Sequence, residues 1–400
     1  MKKLFLVCLC LINILNFSVQ GKSLTYVVND ALKFSEQQSL LLSEKYAGQD
    51  SILPRSFENG KNTSSDSRWW CSGFFPGTLW YLYENIKSPV LLKFAKLYTD
   101  RVEREKYTTD NHDVGFMLYC SFGNGLRITG DEHYKEVLLT GARSLSTRLN
   151  PKVGLIRSWN HTRNKWQYPV VIDNMMNLEL LLWAANYSGD SKFKEMALSH
   201  ADKTMIHHFR PDFSSYHLVS YDTISGLPHL KQTHQGFSKE SSWSRGQAWG
   251  LYGYTYLYRI TKDKRYLKQA ENIAGFIINH PRMPEDCIPY WDYDSPDIPN
   301  TNRDASAACI MASAFIELSD FVDVKLAKKY MKVAETQIRT LASPEYTAKL
   351  GENGCFILKH SVGAYPFKSE VDVPLTYADY YYLEALTRLK KKIQKRSNCR

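Results

Sequence analysis

Residues 168–185 read YPVVIDNMMNLELLLWAA, and this stretch sets the plan of the whole chain. One carboxylate, Asp173, stands between an apolar run at 170–172 and a second apolar segment. Apolar residues recur at helical spacing from 176 to 184, which predicts a buried helix that begins just after Asp173. The following turn leads into another helix. We therefore interpret the chain from this unit, a pair of helices with a carboxylate at its entrance.

The turn between the two helices recurs along the chain. Its acidic residue has counterparts at intervals of roughly sixty to seventy residues, a length that fits two helices and their loops. The residues concerned are Asp131, Asp190, Asp263 and Asp323. Each is placed to cap the second helix of a pair, which is a structural role.

An apolar helix rich in small residues precedes each turn, and a more charged, amphipathic helix follows it. The apolar helices are predicted at residues 75–83, 114–127, 175–185, 247–259, 305–318 and 380–389. Amphipathic helices are predicted at 192–206, 265–279 and 325–341, among others. Because apolar helices belong inside and amphipathic ones outside, we predict an all-α fold, an (α/α)6 barrel of six hairpins. An open helical solenoid is the competing architecture, although its repeats are shorter.

The N-terminal residues have the features of a secretory signal peptide: Lys2-Lys3, an apolar run that ends near Val19, and small residues before Lys22. We assign residues 1–21 to this signal peptide, 24–390 to a single catalytic domain and 391–400 to a basic C-terminal tail. No later stretch is long and apolar enough to span a membrane. We therefore expect a protein exported to the periplasm.

The formal net charge is +10, and much of it lies at the two ends of the chain. No nucleic-acid-binding motif accompanies it, so we expect no nucleic-acid partner; the charge could instead steer an acidic substrate. The cysteines form no CxxC pair and no zinc spacing with histidine, so we predict no metal and no cofactor. Cys120 and Cys309 lie in apolar helical runs and are expected to be buried thiols.

Polar and aromatic residues collect immediately before the predicted inner helices. These segments are 68–77, 111–116, 172–174, 243–249, 302–306 and 377–382. In a ring of hairpins they all emerge at one end and would line a single pocket, which is the usual signature of a site.

Two aspartates in these segments, Asp113 and Asp173, are set among bulky apolar residues that could raise the pKa of a carboxyl group. Carboxylates from neighbouring hairpins suit acid/base attack on a glycosidic or enol-ether bond. Each acidic residue before an inner helix could instead be only an N-cap, and for Asp304 and Asp379 we favour that interpretation.

Several stretches, in order, resemble the unsaturated glucuronyl hydrolases of glycoside hydrolase family 88. They lie at residues 70–77, 112–116, 172–177, 214–217, 233–236, 244–249, 303–308 and 379–381. The resemblance covers nearly all of the chain after the signal peptide, and it implies an (α/α)6 barrel, in agreement with the repeat count. It also implies a substrate class: lyase-generated oligosaccharides with a 4,5-unsaturated uronic acid at the non-reducing end.

The resemblance further implies a mechanism, hydration of the C4=C5 vinyl ether. Asp173 matches the family's general acid/base, which protonates C4 and assists attack of water at C5. The resulting hemiketal opens, and the glycosidic bond breaks by rearrangement. Asp113 matches a second essential aspartate that contacts the sugar and supports Asp173. Nothing in this mechanism requires a metal.

Other residues fall on positions of the family's substrate pocket. They are Trp70, His112, His217, Gln235, Arg245 and Trp249. Arg245 is a natural partner for a uronate carboxylate, whereas Trp249 could bind the sugar face or merely pack. Cys71 stands where relatives commonly carry a small hydroxyl residue. Lys368 and Ser369 could accept a sulfate at the second sugar, or could belong to a solvated loop.

Three functions remain open, in order of preference. The first is an unsaturated β-glucuronyl hydrolase acting on glycosaminoglycan oligosaccharides. The second is an unsaturated rhamnogalacturonyl hydrolase acting on pectin fragments. The third belongs to a different class, a non-catalytic helical-ring protein that binds acidic sugars. In each case the expected partner is an acidic oligosaccharide, without stable membrane insertion after signal cleavage, and the oligomeric state is open.

Overall fold

The computed structural model describes residues 21–160 and 164–398. Its α-helices are α1 (Leu24–Ala47), α2 (Phe74–Ile86), α3 (Pro89–Asp100), α4 (Val114–Leu118), α5 (Asn124–Thr129), α6 (Glu132–Ser146), α7 (Asn174–Ser188), α8 (Ser191–His207), α9 (Ser244–Thr261), α10 (Lys264–Asn279), α11 (Ala305–Leu318), α12 (Val324–Leu341) and α13 (Thr376–Asn398). One π-helical turn, Tyr119–Gly123, joins α4 to α5. Except for Gly21, the assigned signal peptide lies outside the described residues.

The inner helices form a closed ring. In the order α2, α4 with α5, α7, α9, α11 and α13, each contacts the next, and α13 returns to contact α2. Each has an outer partner packed against it, respectively α3, α6, α8, α10, α12 and α1. Because the ring closes, the fold is an (α/α)6 barrel and not an open solenoid, which confirms the prediction.

The sequence difference between inner and outer helices corresponds to their burial. Every residue of α11 is buried, and its many alanines let neighbouring helices approach closely. Helix α12, in contrast, buries one face and exposes its charged residues. An inner helix has protein on all sides and an outer helix on one side only, so the hydrophobic pattern differs accordingly.

The four turn aspartates cap the outer helices as predicted. The carboxylates of Asp131, Asp190, Asp263 and Asp323 accept hydrogen bonds from the backbone N–H two residues later, over 2.8 to 3.0 Å. In two of these turns a glycine in the left-handed region precedes the aspartate. Glycine adopts this conformation without strain because it has no Cβ atom.

Short strands occupy the long loops at the entrance of the barrel. They are β1 (Leu53–Glu58), β2 (Lys61–Ser65), β3 (Leu149–Asn150), β4 (Leu155–Ile156), β5 (Pro169–Val171), β6 (Leu218–Tyr221), β7 (Pro228–Gln232), β8 (Ser361–Ala364) and β9 (Ser369–Val373). Strands β5, β6 and β7 form one antiparallel sheet, and β8 pairs with β9 as a hairpin. The sheet ends directly before α7 and so fixes the chain next to Asp173.

The assigned C-terminal tail is helical over its described residues. Helix α13 continues to Asn398, so residues 391–398 of the assigned tail extend the last inner helix.

Cys120 and Cys309 are buried thiols, as expected. Among the described helices, none has both the length and the apolar character needed to cross a lipid bilayer.

Candidate active site

A cavity of about 800 Å³ opens at the barrel end where the inner helices begin. Its walls are formed by Arg68, Trp69, Trp70, Asp110, Asn111, Asp113, Trp159, Asn160, His234, Gln235 and Phe367. Three predicted site residues, Trp70, Asp113 and Gln235, are among them. Asp173, His112, His217, Arg245 and Trp249 lie behind this wall, within the same network of contacts. The structure thus brings together segments that are up to about three hundred residues apart.

Asp113 and Asp173 differ from the turn aspartates in what their side chains do. Each occupies the residue just before an inner helix, but neither carboxylate makes a capping hydrogen bond. The side chain of Asp113 is 12% exposed and that of Asp173 is 15% exposed. Because these carboxylates are not used to cap a helix, they remain available for chemistry.

The small sheet determines where Asp173 lies. Strand β5 pairs with β6, and beyond the pairing the N–H of Ile172 donates to the carbonyl of His217 over 2.9 Å. This register places the imidazole of His217 opposite the next residue. His217 Nε2 lies 3.5 Å from Asp173 Oδ2, and within the described ranges neither atom has a closer polar partner that forms a hydrogen bond with it.

The surroundings shift the pKa values of the two carboxyl groups in opposite directions. Burial and the negative charge of Asp173 raise the pKa of Asp113 to about 8. Burial would also raise the pKa of Asp173, but the contacts with His217, His112 and Arg245 lower it below its ordinary value. The expected upward shift is therefore present at Asp113 and wrong for Asp173. These shifts favour the protonated form of Asp113 and the ionised form of Asp173.

His112 is a buried neighbour of Asp113. Its Nε2 lies 3.3 Å from Asp113 Oδ1, and its Nδ1 lies 3.4 Å from the hydroxyl oxygen of Ser158. That hydroxyl oxygen accepts the N–H of Val171, so its proton is free to point at Nδ1. Burial lowers the pKa of His112 to about 3, which keeps the ring neutral. Both ring nitrogens therefore already face protein groups.

An aromatic floor separates the cavity from the middle of the barrel. The ring of Phe116 lies 5.4 Å from Trp70 and 5.2 Å from Trp249. Trp249 is fully buried, and its indole N–H has no partner among the described residues. A buried N–H without an acceptor costs free energy unless a ligand satisfies it. Trp249 consequently packs in the core and still has one polar group to offer.

Arg245 is fixed by protein contacts. Its side chain is 2% exposed; Nη1 donates to Asp304 over 3.2 Å and to the carbonyl of Val362, and Nη2 donates to the carbonyl of Gly363 over 2.6 Å. The guanidinium also lies over the ring of Trp243, with 4.4 Å to the centroid. Among the described residues Nε has no partner, so Arg245 can offer an anionic ligand its positive charge and one N–H.

Asp304 and Asp379, the other two aspartates near the starts of inner helices, stabilise the fold through hydrogen bonds to backbone N–H groups. Asp304 accepts the N–H of Ser306 and caps α11, as favoured from the sequence. Asp379, within the first turn of α13, accepts the N–H groups of Ile357 and Leu358 and so holds a neighbouring loop instead of its own helix. Lys368 lies at the tip of the β8–β9 hairpin, next to the half-exposed Phe367.

Sequence reasoning did not assign several residues that the structure places at the cavity. Trp159, His234 and Phe367 line it, and Arg148 supports it from behind by donating to the carbonyls of Arg157 and Thr109. Trp159 lies in a loop, and helical periodicity does not reveal how a loop packs. A tryptophan in a loop between two hairpins was nevertheless a signal for a binding residue. Within residues 21–160 and 164–398, no group of three His, Cys, Asp or Glu side chains could hold a metal ion.

Comparison with known proteins gives consistent results. An unsaturated glucuronyl hydrolase of Formosa agariphila is 46% identical over 330 residues, which is 82% of each chain. A crystal structure of an unsaturated glucuronyl hydrolase specific for heparin superposes with a TM-score of 0.87 at 49% identity, over 92% of this chain and 98% of the other. A mutant unsaturated glucuronyl hydrolase of Streptococcus agalactiae complexed with dGlcA-GalNAc6S gives 0.78 at 28% identity, over 94% and 95%.

The family model agrees with these individual similarities. The model described as Glycosyl Hydrolase Family 88 matches residues 50–394, which include the inner helices of the ring, the last of them as far as residue 394. Asp113, Asp173 and the residues that line the cavity all fall inside the matched range. This chain therefore belongs to glycosyl hydrolase family 88.

Proposed function

We propose that the protein releases 4,5-unsaturated glucuronic acid from the non-reducing end of lyase-generated glycosaminoglycan oligosaccharides by hydrating the C4=C5 vinyl ether. The observation that carries this proposal is a pair of nearly buried carboxyl groups without capping roles, Asp113 in the cavity wall and Asp173 behind it, whose surroundings favour the protonated form of the first and the ionised form of the second. Hydration of a vinyl ether needs one proton donor and one acceptor in the same place. The pair supplies both without a cofactor.

In the proposed reaction the proton held by Asp113 passes to Asp173, which delivers it to C4 of the double bond. Positive charge then develops at C5 and is stabilised by the two carboxylates. Water adds at C5 as the pair takes a proton back, which restores its starting state. The C5 hydroxyl product is a hemiketal, which opens and releases the remaining oligosaccharide. One proton enters at C4 and one leaves water, so the step balances.

The proposed substrate contacts use the aromatic surface, the hydrogen-bonding groups and the charge that the side chains of the site leave available. Trp70 presents an aromatic surface in the cavity wall, on which a sugar ring can stack. Gln235 offers an amide in the same wall, and Trp249 offers its unpartnered N–H from the floor. Arg245 attracts the uronate by charge and through Nε. His112, whose nitrogens both face protein groups, acts through Asp113.

The choice of glycosaminoglycan rests on two of the similar proteins. The heparin-specific hydrolase is 49% identical and the enzyme complexed with dGlcA-GalNAc6S is 28% identical. We therefore rank heparin-type disaccharides first, chondroitin-type disaccharides second and unsaturated rhamnogalacturonan fragments third. A sulfate on the second sugar would meet Lys368 and Ser369 at the hairpin tip, the expectation made from the sequence.

The decisive experiment compares Asp173→Asn with wild type on lyase-generated disaccharides, by following the absorbance of the conjugated double bond. Asp173→Asn should lose turnover while it still binds the disaccharide, and Asp190→Asn, a capping residue on an outer helix, should keep wild-type turnover. Full activity in Asp173→Asn would remove this residue from the mechanism. Binding without turnover by the wild type would instead favour the sugar-binding protein.

We also propose that the protein is exported to the periplasm after cleavage of residues 1–21. The supporting pattern is the basic and apolar composition of that segment. Fractionation of the producing cells and N-terminal sequencing of the mature protein test this. A mature chain that starts near residue 22 in the periplasmic fraction is expected, and an intact Met1 in the cytoplasm would contradict export.

A further inference from the structure

The His217 imidazole has an environment that determines which of its nitrogens carries the proton. Its side chain is fully buried. The backbone N–H groups of His234 and Gln235 both donate to Nδ1, over 3.2 and 3.1 Å. A nitrogen that accepts two N–H bonds cannot itself hold a proton, so the proton of the neutral ring is on Nε2. That nitrogen is the one that faces Asp173.

We propose that residues 233–241 act as a tautomer clamp, which holds His217 as a neutral Nε2–H donor that orients Asp173 and keeps it ionised. This inference rests on the proposed function, since it assigns His217 to positioning the acid/base instead of binding the sugar. Two aromatic rings pack beside the imidazole. The ring centroid of Trp243 lies 4.8 Å from that of His217, and the centroid of the nearly parallel His234 ring lies 6.2 Å from it. The imidazole can therefore neither rotate nor change tautomer without breaking these contacts.

The clamp is held in turn by a remote residue, Asp292. This carboxylate is fully buried, and its Oδ2 accepts the N–H of Phe237 over 2.8 Å and the hydroxyl of Ser241 over 2.7 Å. A Cβ at Gly236 would overlap the same oxygen, so the loop can approach Asp292 only because residue 236 is glycine. Asp292 thus fixes the loop that presents the amides to His217, and it is a positioning residue of the site.

The electrostatic surroundings agree with a neutral donor. The charged and titratable groups that face the His217–Asp173 contact come from five elements: Asp113 and His112 before α4, Arg148 after α6, His208 after α8, His234 after β7 and Arg245 on α9. A cationic imidazole would need a proton on Nδ1, where two N–H groups already point. The neutral ring avoids this conflict and still donates to the carboxylate.

A matched pair of substitutions tests the clamp. In His217→Gln the side-chain amide nitrogen can take the place of Nε2 and keep the donor to Asp173. In His217→Asn the amide oxygen can take the place of Nδ1 and keep the clamp contact, but the donor is lost. We expect the acid limb of the kcat/KM profile to move up by about one pH unit in the Asn variant, with kcat about tenfold lower and KM nearly unchanged. The Gln variant should keep the wild-type acid limb.

A second pair tests the remote residue. Asp292→Asn should move the acid limb in the same direction as His217→Asn, while Asp297→Asn, at an exposed residue of the following loop, should leave it in place. Circular dichroism at each pH confirms that all variants are folded. Identical profiles for the Gln and Asn variants, or a raised KM with unchanged kcat, would overturn the clamp. An unchanged profile in Asp292→Asn would remove Asp292 from it.

Failure of the clamp can be separated from failure of the proposed function. Nitrogen-15 NMR of the unliganded wild-type protein reports the His217 tautomer without any substrate. The Nε2–H form is expected for the neutral ring, and an Nδ1–H form overturns the clamp whatever the protein hydrolyses. Absence of wild-type turnover on every unsaturated disaccharide would contradict the proposed function alone.

Discussion

Asp113 and Asp173 are chemically identical side chains whose different surroundings divide one proton between them. Asp113 loses solvation and faces another negative charge, so its protonated form is favoured. Asp173 also loses solvation, but His217 and the nearby Arg245 favour its ionised form. This division follows the general pattern by which a pair of carboxyl groups becomes an acid and a base.

The pKa of Asp113 predicts the basic side of the pH profile. With a pKa raised to about 8, Asp113 keeps its proton through neutral pH and loses it above that value. We therefore expect kcat/KM of the wild type to fall as the pH rises through about 8, while the acid limb lies below the ordinary carboxyl range. Steady-state kinetics on the unsaturated disaccharide measure this. Undiminished activity up to about pH 10 would contradict it.

The same shift predicts a stability effect. A carboxyl group whose folded-state pKa is above its unfolded value of 3.8 loses protons more easily when unfolded, so the folded state is weakened as the pH rises from about 4 to about 8. Asp113→Asn removes this penalty and should stabilise the protein at pH 7 and above by ~1–3 kcal/mol, with little gain near pH 4. Urea unfolding at both pH values tests it, with Asp50→Asn, at an exposed residue that does not line the cavity, as the control. Equal effects at both pH values would exclude the titration as the cause.

At the level of elements, Arg245 connects helix α9 to helix α11 and to the β8–β9 hairpin. It reaches Asp304 at the start of α11 and the carbonyls of Val362 and Gly363 in β8. The hairpin carries Phe367 over the cavity, where its ring lies 5.0 Å from that of His234. One buried guanidinium therefore both supports the cavity wall and supplies charge to the site.

A double-mutant cycle separates these two contributions. Arg245→Met should destabilise the protein by about 3 kcal/mol, because Asp304 remains buried without its cation, and should also raise KM. Adding Asp304→Asn, whose remaining oxygen still caps α11, should recover part of the stability but leave KM high. Thermal unfolding and kinetics on the three variants measure both quantities. Recovery of KM in the double variant would show that Arg245 acts on the substrate only through the hairpin.

At the level of the whole molecule, ion pairs link the inner helices at the end opposite the active site. Arg259 on α9 binds Glu179 on α7 and Glu317 on α11, and Arg388 on α13 binds Glu317. Glu84 on α2 binds residues on both α5 and α13. These partly buried pairs surround a second cavity of about 630 Å³, and they hold the ring closed where the aromatic floor does not reach.

Removal of one member should therefore weaken the ring without disturbing the chemistry. Arg259→Met leaves Glu179 and Glu317 without their shared partner and should lower the free energy of unfolding by about 1–2 kcal/mol. Because the site is at the other end of the barrel, kcat and KM should stay at wild-type values. Arg265→Met, on the exposed face of α10, is the control, with an expected change below about 0.5 kcal/mol. A large loss of kcat in Arg259→Met would mean that the two ends are coupled.

Much of this molecule could be predicted from the sequence, because the relevant signals are local or periodic. Apolar helices alternate with amphipathic ones, and the aspartates at 131, 190, 263 and 323 recur at the turns, which is enough to predict six hairpins and their caps. The ordered motifs predicted the family in the same way. Helical period and capping depend on neighbours a few residues away, so a single chain reveals them.

Other properties were decided only by the tertiary structure. The sequence could not distinguish a capping aspartate from a free one, nor could it predict that the pKa of Asp173 is lowered while that of Asp113 is raised. Nor could it show that Arg245 already binds Asp304, or that two loop amides fix the His217 ring. Each of these depends on groups that are distant in sequence and close in space. Solvation, charge and hydrogen bonding act over a few ångströms, so only the folded arrangement determines them.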